Sequence, residues 1–486
     1  MSQAKPAGQA VCKLLRSVMQ RFTQSEASVW RFPSMRRETA VDPSAVVNPM
    51  QRLTRRDLLA LGFMTFALFL GAGNIIFPPS VGMAAGAQLW LAALGFLLTG
   101  VGLPLLTVVA LARVGGGLQR LTAPLGRHAG GLFAVVVYLA IGPLFATPRT
   151  AVVSFEMGVA PFSGNSETAL RLYTLGYFAC VLFLSLNPGQ LVDRIGKWIA
   201  PLLLSALLVL GGAAVLAPAG VIGSTAPAYQ TAPLLQGFLQ GYLTMDTLGA
   251  LVFGIVIATA IRDRGVRNEA LITRYAISAG LIAACGLSLV YLSLFYLGAT
   301  SQSIAGGAQN GVQILSSYVQ HTFGVAGSLL LALVITLACL TTAVGLLTAC
   351  GEFFSKLLPL SYRTVVLLLG AFSLLVANQG LTQLISVSVP VLVALYPLAI
   401  VLVALSLADR LWCEPKRVFV PVMAVTLVFG LMDGLLAAGL KTWVPSVFNQ
   451  MPLAAQSLGW LLPVGLTLLL AAGIDRLRGP VVCLAD

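Results

Sequence analysis

Few side chains in this 486-residue sequence are equipped for chemistry, and those that are stand mostly inside long apolar runs. Asp246 lies in Gly241-Tyr242-Leu243-Thr244-Met245-Asp246-Thr247-Leu248-Gly249-Ala250, and Arg149 and Glu156 share another apolar run, seven residues apart. An ionisable group at bilayer depth is costly and is a functional candidate by default. A carboxylate there can balance a cation or an ammonium group. Alternatively, Asp246 caps a kink or bonds to Thr244 or Thr247. Arg149 and Glu156, two helical turns apart, can share a face and act as a gate or line a pathway. The competing role is an ion pair that satisfies itself in low dielectric. Adjacent hydroxyls at Thr341 and Thr342 can offer oxygen ligands to a hard cation such as sodium, or can bond back to the preceding turn. Asp433, late in a further apolar run, reads as a residue near the outer interface.

The element that positions these groups is the membrane helix. Charged residues make up 9% of the chain and hydrophobic residues 58%, with a mean hydropathy of +0.92. Soluble proteins average about 25% charged, and so few charges cannot cover a water-facing surface of this size. Soluble enzymes, secreted domains and disordered proteins are thereby excluded. Glycine (49) and proline (25) are abundant, which lipid-embedded bundles tolerate because neighbours satisfy freed backbone groups. Seven scattered cysteines without a C-x-x-C pair, and two distant histidines, His128 and His321, offer neither a disulfide framework nor a metal cluster. No cofactor and no transition metal is expected.

Twelve apolar stretches approach the length of about 20 residues that crosses a hydrocarbon core. They cover 57–80, 88–112, 130–158, 168–187, 190–217, 235–261, 272–298, 328–354, 362–378, 381–408, 418–440 and 455–474. They lack the alternation of an outer-membrane barrel. With the amino terminus inside, 26 of the 29 Lys and Arg fall in cytoplasmic segments; Arg171 and Lys441 lie outside and Arg149 within a span. That bias puts both termini in the cytoplasm. It also argues against a nucleic-acid partner despite the net charge of +13, because the charge follows the membrane face and forms no single stripe. Residues 1–50 are polar with no apolar core, and read as a disordered cytoplasmic tail, not a signal peptide. A sharper alternative is that translation starts at Met50. Outside segment 299–327 carries no formal charge and reads as an extracellular lid or an inert loop. The spacings Gly82-x-x-x-Gly86 and Gly237-x-x-x-Gly241 read as close helix contacts.

Two spans are interrupted. Leu70-Gly71-Ala72-Gly73-Asn74 is a poor helix interior, and Gly71 stands about 20 Å into the first span at 1.5 Å per residue. Asp246 stands about 15 Å into the sixth by the same measure. Unwound backbone survives at that depth only inside protein or along a wet cavity. Broken first and sixth helices are the signature of an inverted-repeat transporter, whose half-helix N-termini face anions and whose freed carbonyls face cations.

At this point the sequence resembles the bacterial branched-chain amino acid:cation symporters from about residue 53 to 475. The resemblance rests on 61–69 (LGFMTFALF), 71–79 (GAGNIIFPP), 142–151 (GPLFATPRTA) and 242–250 (YLTMDTLGA). That family is related to proteins with the leucine-transporter fold, which implies a 5+5 inverted-repeat core with two helices added. The repeats would cover about 57–217 and 235–408 within a core of 51–410, and the addition 411–486. By the same resemblance, the N–H groups of Ala72 and Gly73 hold the substrate carboxylate, and Asn74 matches a side chain at a second sodium site in some members. Carbonyls of Ala67, Leu70 and Ala338, with the hydroxyls of Thr341 and Thr342, form a sodium site. Asp246, flanked by Thr244 and Thr247, is assigned to the substrate amine or the cation.

The function expected is import of leucine, isoleucine and valine across the bacterial inner membrane by alternating access, coupled to sodium. Proton coupling and a broader neutral amino-acid range are the alternatives, followed by a passive facilitator or a nutrient sensor. A membrane-embedded enzyme would need a nucleophile–base pair, a metal cluster or a phosphate motif, and the sequence offers none. The partners implied are an amino acid, a monovalent cation and the lipid bilayer; a monomer suffices for transport.

Overall fold

Glycine, proline and capping residues decide where the helices start and stop. The structure, a computed structural model, describes residues 52–479 apart from 116, 165, 187–189, 450 and 452. The 1–50 tail and the Met50 start lie outside the described residues. All regular structure among the described residues is helical. In chain order the longer helices are α1 (Arg55–Phe69), α2 (Ala72–Ala85), α3 (Leu89–Leu97), α4 (Leu103–Val114), α5 (Arg127–Leu139), α6 (Ala146–Gly158), α7 (Glu167–Leu186) and α8 (Gln190–Leu216). They continue with α9 (Pro233–Tyr242), α10 (Asp246–Asp263), α11 (Glu269–Thr300), α12 (Gly311–Leu357), α13 (Tyr362–Ala377), α14 (Leu381–Leu407), α15 (Pro415–Ala437) and α16 (Leu461–Arg478).

The protein is an all-helical polytopic membrane protein. Each of the twelve apolar stretches contains helix. By length and apolarity, seven helical stretches among the described residues qualify as spans, and α9 with α10, meeting at 40°, makes an eighth. The first break is narrower than the sequence implied. Thr54 and Asp57 form a capping box that starts α1, whose last turn closes with the Leu70 N–H bonded to Phe66 O at 2.8 Å. Gly71 is extended, and Ala72 already begins α2. Between α5 and α6 the chain passes through a π-turn at Ala140–Leu144, where Gly142 leaves helical geometry at ψ −111°.

Segment 299–327 is not loop along most of its length. It contains a short helix, Gln302–Ala305, and the opening turns of α12. Asn310 caps α12 by accepting from Gln313 N at 3.1 Å, and Val312, Leu315, Tyr318 and Val319 supply the buried stripe of its first part, which kinks at Gly324 (φ +64°).

Helix α11 is central, packing against α1, α2, α4 and α8. Helices α3 and α9 meet backbone to backbone. A Cβ on Gly95 would stand 1.9 Å from Leu234 O, and one on Gly237 1.9 Å from Ala92 O.

Helix α16 caps α15, and a second buried aspartate lies near the start of α16. Fully buried Asp475, near the end of α16, accepts from the N–H groups of Cys413 (2.6 Å) and Glu414 (3.0 Å) just ahead of α15. Buried Asp433, on α15, lies against the N–H groups of Gly459 and Trp460 just ahead of α16. Helix N-termini favour such anions. Asp475→Ala strands two part-buried donors, while Arg417, 3.9 Å from Asp475, keeps its closer partner Glu414 at 3.0 Å, so thermal unfolding of the purified variant should show a loss of about 2 kcal/mol.

Candidate substrate and cation site

The two breaks face one another. Met245 adopts a left-handed backbone (φ +66°), which carries the chain from α9 into α10. Thr244 O passes within 3.0 Å of where a Cβ on Gly73 would stand. Between the breaks is a cavity of about 50 Å³, room for a few waters. Gly71, Ala72, Gly73 and Asn74 line it from the first break, and Thr244, Met245 and Asp246 from the other. Arg149 and Thr150 come from α6, and Thr342 from α12. Leu68, Ile141, Phe253 and Leu346 supply apolar wall.

Asn74 knits the site together. Its Oδ1 accepts from the Gly71 N–H at 3.0 Å, which satisfies backbone freed by the break. Its Nδ2 donates to Asp246 Oδ2 at 2.7 Å and also to the Tyr291 hydroxyl. Tyr291, on α11, donates in turn to Asp246 Oδ2 at 2.9 Å. Asp246, only 4% exposed, is therefore held by side chains from α2 and α11. Thr244 Oγ1 accepts from the Asp246 backbone N–H at 3.4 Å, and buried Thr247 is not among the residues that line the cavity. The short bonds to the carboxylate thus come from Asn74 and Tyr291, with the Thr244 side chain also beside it, so capping by chain neighbours does not account for its main partners.

Arg149 and Glu156 do not pair. Arg149 Nη1 donates to Leu243 O at 2.8 Å, satisfying a carbonyl at the second break, and Nη2 donates to Ser388 Oγ on α14 at 3.0 Å. Its guanidinium carbon stands 5.4 Å from the centre of the Phe77 ring. Glu156, at the other end of α6, accepts from Asn310 Nδ2 at 2.9 Å and takes no part in the cavity wall. Two helical turns bring the residues onto one face, but each finds a nearer partner.

The hydroxyls of Thr341 and Thr342 both donate back to Ala338 O, at 2.8 and 3.0 Å. Thr342 lines the cavity. Ala67, Leu70, Ala338 and Thr341 are not among the residues that line it. Sequence reasoning passed over Tyr291 and Ser388. The available signal for Tyr291 was a tyrosine deep in an apolar run, since a buried phenol needs a partner.

Opposed helix breaks around a cavity that carries Asn74, Arg149 and Asp246, in an all-helical membrane chain, define a secondary-transporter fold. Solved structures agree at the level of fold. The chain superposes on Mhp1, described as a nucleobase-cation-symport-1 family transporter, with a TM-score of 0.57 at 14% identity, covering 89% of this chain and 95% of that one. The manganese transporter of Eremococcus coleocola gives a TM-score of 0.54 at 15% identity, covering 90% and 98%. Residues 54–478 match the family described as branched-chain amino acid transport protein, and the chain belongs to that family. It is 76% identical over 430 residues to the branched-chain amino acid transport system 2 carrier protein of Pseudomonas aeruginosa, covering 88% of this chain and 98% of the relative. It is 55% identical over 428 residues to the branched-chain amino acid permease BrnQ of Escherichia coli, with the same coverage. The family resemblance read from the four motif runs is borne out. These relatives are carriers and permeases, and the protein is a carrier, not an enzyme.

Proposed function

We propose that the protein imports leucine, isoleucine and valine across the bacterial inner membrane by alternating access, coupled to sodium. The observation that carries the proposal is Asp246: a buried carboxylate held by Asn74 and Tyr291 on the cavity between two broken helices. In this reading the substrate ammonium sits beside Asp246, and the carboxylate meets the N–H groups of Ala72 and Gly73 at the start of α2, where the helix dipole favours an anion. Thr244 closes the polar side. The aliphatic side chain lies against Phe253, Leu346 and Ile141. An apolar pocket separates substrates by only about 1–3 kcal/mol per methylene, so the three amino acids compete.

The sodium site would lie between α1 and α12, from the carbonyls of Ala67, Leu70 and Ala338 and the hydroxyls of Thr341 and Thr342. A hydroxyl that donates to Ala338 O keeps lone pairs for a cation. Twelve crossings with both termini cytoplasmic, and two inverted repeats ahead of α15 and α16, complete the scheme. Proton coupling is the second reading, favoured by the burial of Asp246 among neutral donors.

Proteoliposomes loaded without sodium and given an inward sodium gradient should accumulate labelled leucine, and excess isoleucine or valine should suppress it. Accumulation under a pH gradient alone would select the proton reading. Equilibration without accumulation under either gradient would refute symport.

A further inference from the structure

Arg149 carries more binding capacity than its structural bonds consume. A guanidinium has five N–H donors in a rigid fork. Two of them engage neutral oxygens, Leu243 O and Ser388 Oγ, and Nε is buried with no hydrogen-bond partner. The side chain is 2% exposed and lines the cavity. No described carboxylate comes within the 4.0 Å of an ion pair with it, and Glu156 is spoken for by Asn310. A permanent cation kept in a buried site without a counter-ion is costly, so its place in the wall calls for an anion that arrives and leaves. On the same cavity, Asp246 is the opposite charge, with Oδ2 fixed by Asn74 and Tyr291. Phe77 packs against the guanidinium and limits where it can swing.

We infer that Arg149 binds the α-carboxylate of the substrate, so that the cavity, positive at Arg149 and negative at Asp246, accepts amino acids as zwitterions and rejects their singly charged analogues. This rests on the cavity being the substrate site. It adds to the Ala72 and Gly73 N–H groups a charged ligand on α6. The carboxylate therefore ties α6 to the first break, while the ammonium ties that break to α10. An arginine fork discriminates by geometry as well as charge, because it meets both oxygens of a planar carboxylate.

The experiment measures binding of three ligands to purified, monodisperse protein in sodium-containing detergent buffer. They are leucine, leucinamide, which keeps the amine and lacks the carboxylate, and 4-methylpentanoate, which lacks the amine. Wild-type protein should prefer leucine to leucinamide by roughly 100-fold, the worth of two charge-assisted hydrogen bonds. In Arg149→Gln, leucine binding should fall by roughly that factor while leucinamide binding holds, so that the preference collapses. Arg149→Lys should retain part of it. A wild type that binds leucinamide as tightly as leucine would overturn the inference whether or not any variant folds. So would an Arg149→Gln protein that keeps the wild-type ratio, or one that loses both ligands equally, which is the signature of a purely structural arginine. A wild type that binds no branched-chain amino acid at all would instead overturn the substrate reading, and this inference with it.

Discussion

Asp246→Asn is expected to lower gradient-driven leucine uptake by at least roughly 30-fold while leaving the fold intact. The substitution is isosteric. The amide oxygen can still accept from Asn74 Nδ2 and the Tyr291 hydroxyl, which both converge on Oδ2 of the native carboxylate. Once the oxygen is oriented to meet them, the amide NH₂ must occupy the Oδ1 position, where it presents hydrogen to an incoming ammonium group. Charge attraction is lost and a donor is opposed to a donor. Removing one partner of a buried charged hydrogen bond costs about 2–5 kcal/mol. The loss should appear as a raised KM at low substrate and as a fall in maximal rate if Asp246 also serves the cation. Tyr291→Phe, which removes one of two donors and no charge, should cost about 1 kcal/mol, a several-fold effect in the same direction. Uptake by Asp246→Asn with wild-type kinetics and ion dependence would end the assignment of this carboxylate to substrate or cation.

How much of this site could be read from residue order depends on the kind of signal each member leaves. Asp246 stands out because acids are scarce in apolar runs, and Gly71 and Gly73 because helices in lipid seldom carry two glycines about an alanine ahead of an asparagine. Those signals are local. The bonds between Asn74, Asp246 and Tyr291 are not: the partners are 172, 217 and 45 residues apart along the chain. Tyr291 interrupts no pattern, since an aromatic in an apolar helix is ordinary until its hydroxyl is seen to meet a carboxylate. Arg149 shows the limit most plainly. Helical spacing placed Glu156 on its face, but partner choice is settled by what other helices bring near, here Leu243 and Ser388. The opening of α12 was hidden for a related reason. Gly306 and Gly307 read as loop, and the cap at Asn310 that restarts the helix is a single residue in a polar stretch.

Gly237→Ala should give lower yield and a lower unfolding temperature than wild type, with transport reduced in the protein that does fold. The added Cβ would stand 1.9 Å from Ala92 O, and a backbone carbonyl inside α3 cannot rotate out of the way. Gly95, on the facing surface, has the same relation to Leu234 O, so the two helices have no slack on either side. The clash is relieved only if α9 moves away from α3. Overpacking of this kind costs about 1–3 kcal/mol and sometimes more, against a gain of up to about 1 kcal/mol from replacing glycine with alanine in a helix. The net is destabilising. A shift of α9 also propagates to function, because α9 ends at Tyr242 and the next residue, Leu243, supplies the carbonyl bonded by Arg149. The matched control is Gly176→Ala on α7, where an added Cβ meets nothing within 4 Å. There only the helix-propensity gain applies, and the variant should be neutral or slightly more stable. If Gly237→Ala and Gly176→Ala unfold at the same temperature and transport equally, the close approach of α3 and α9 is not what holds the second break in place.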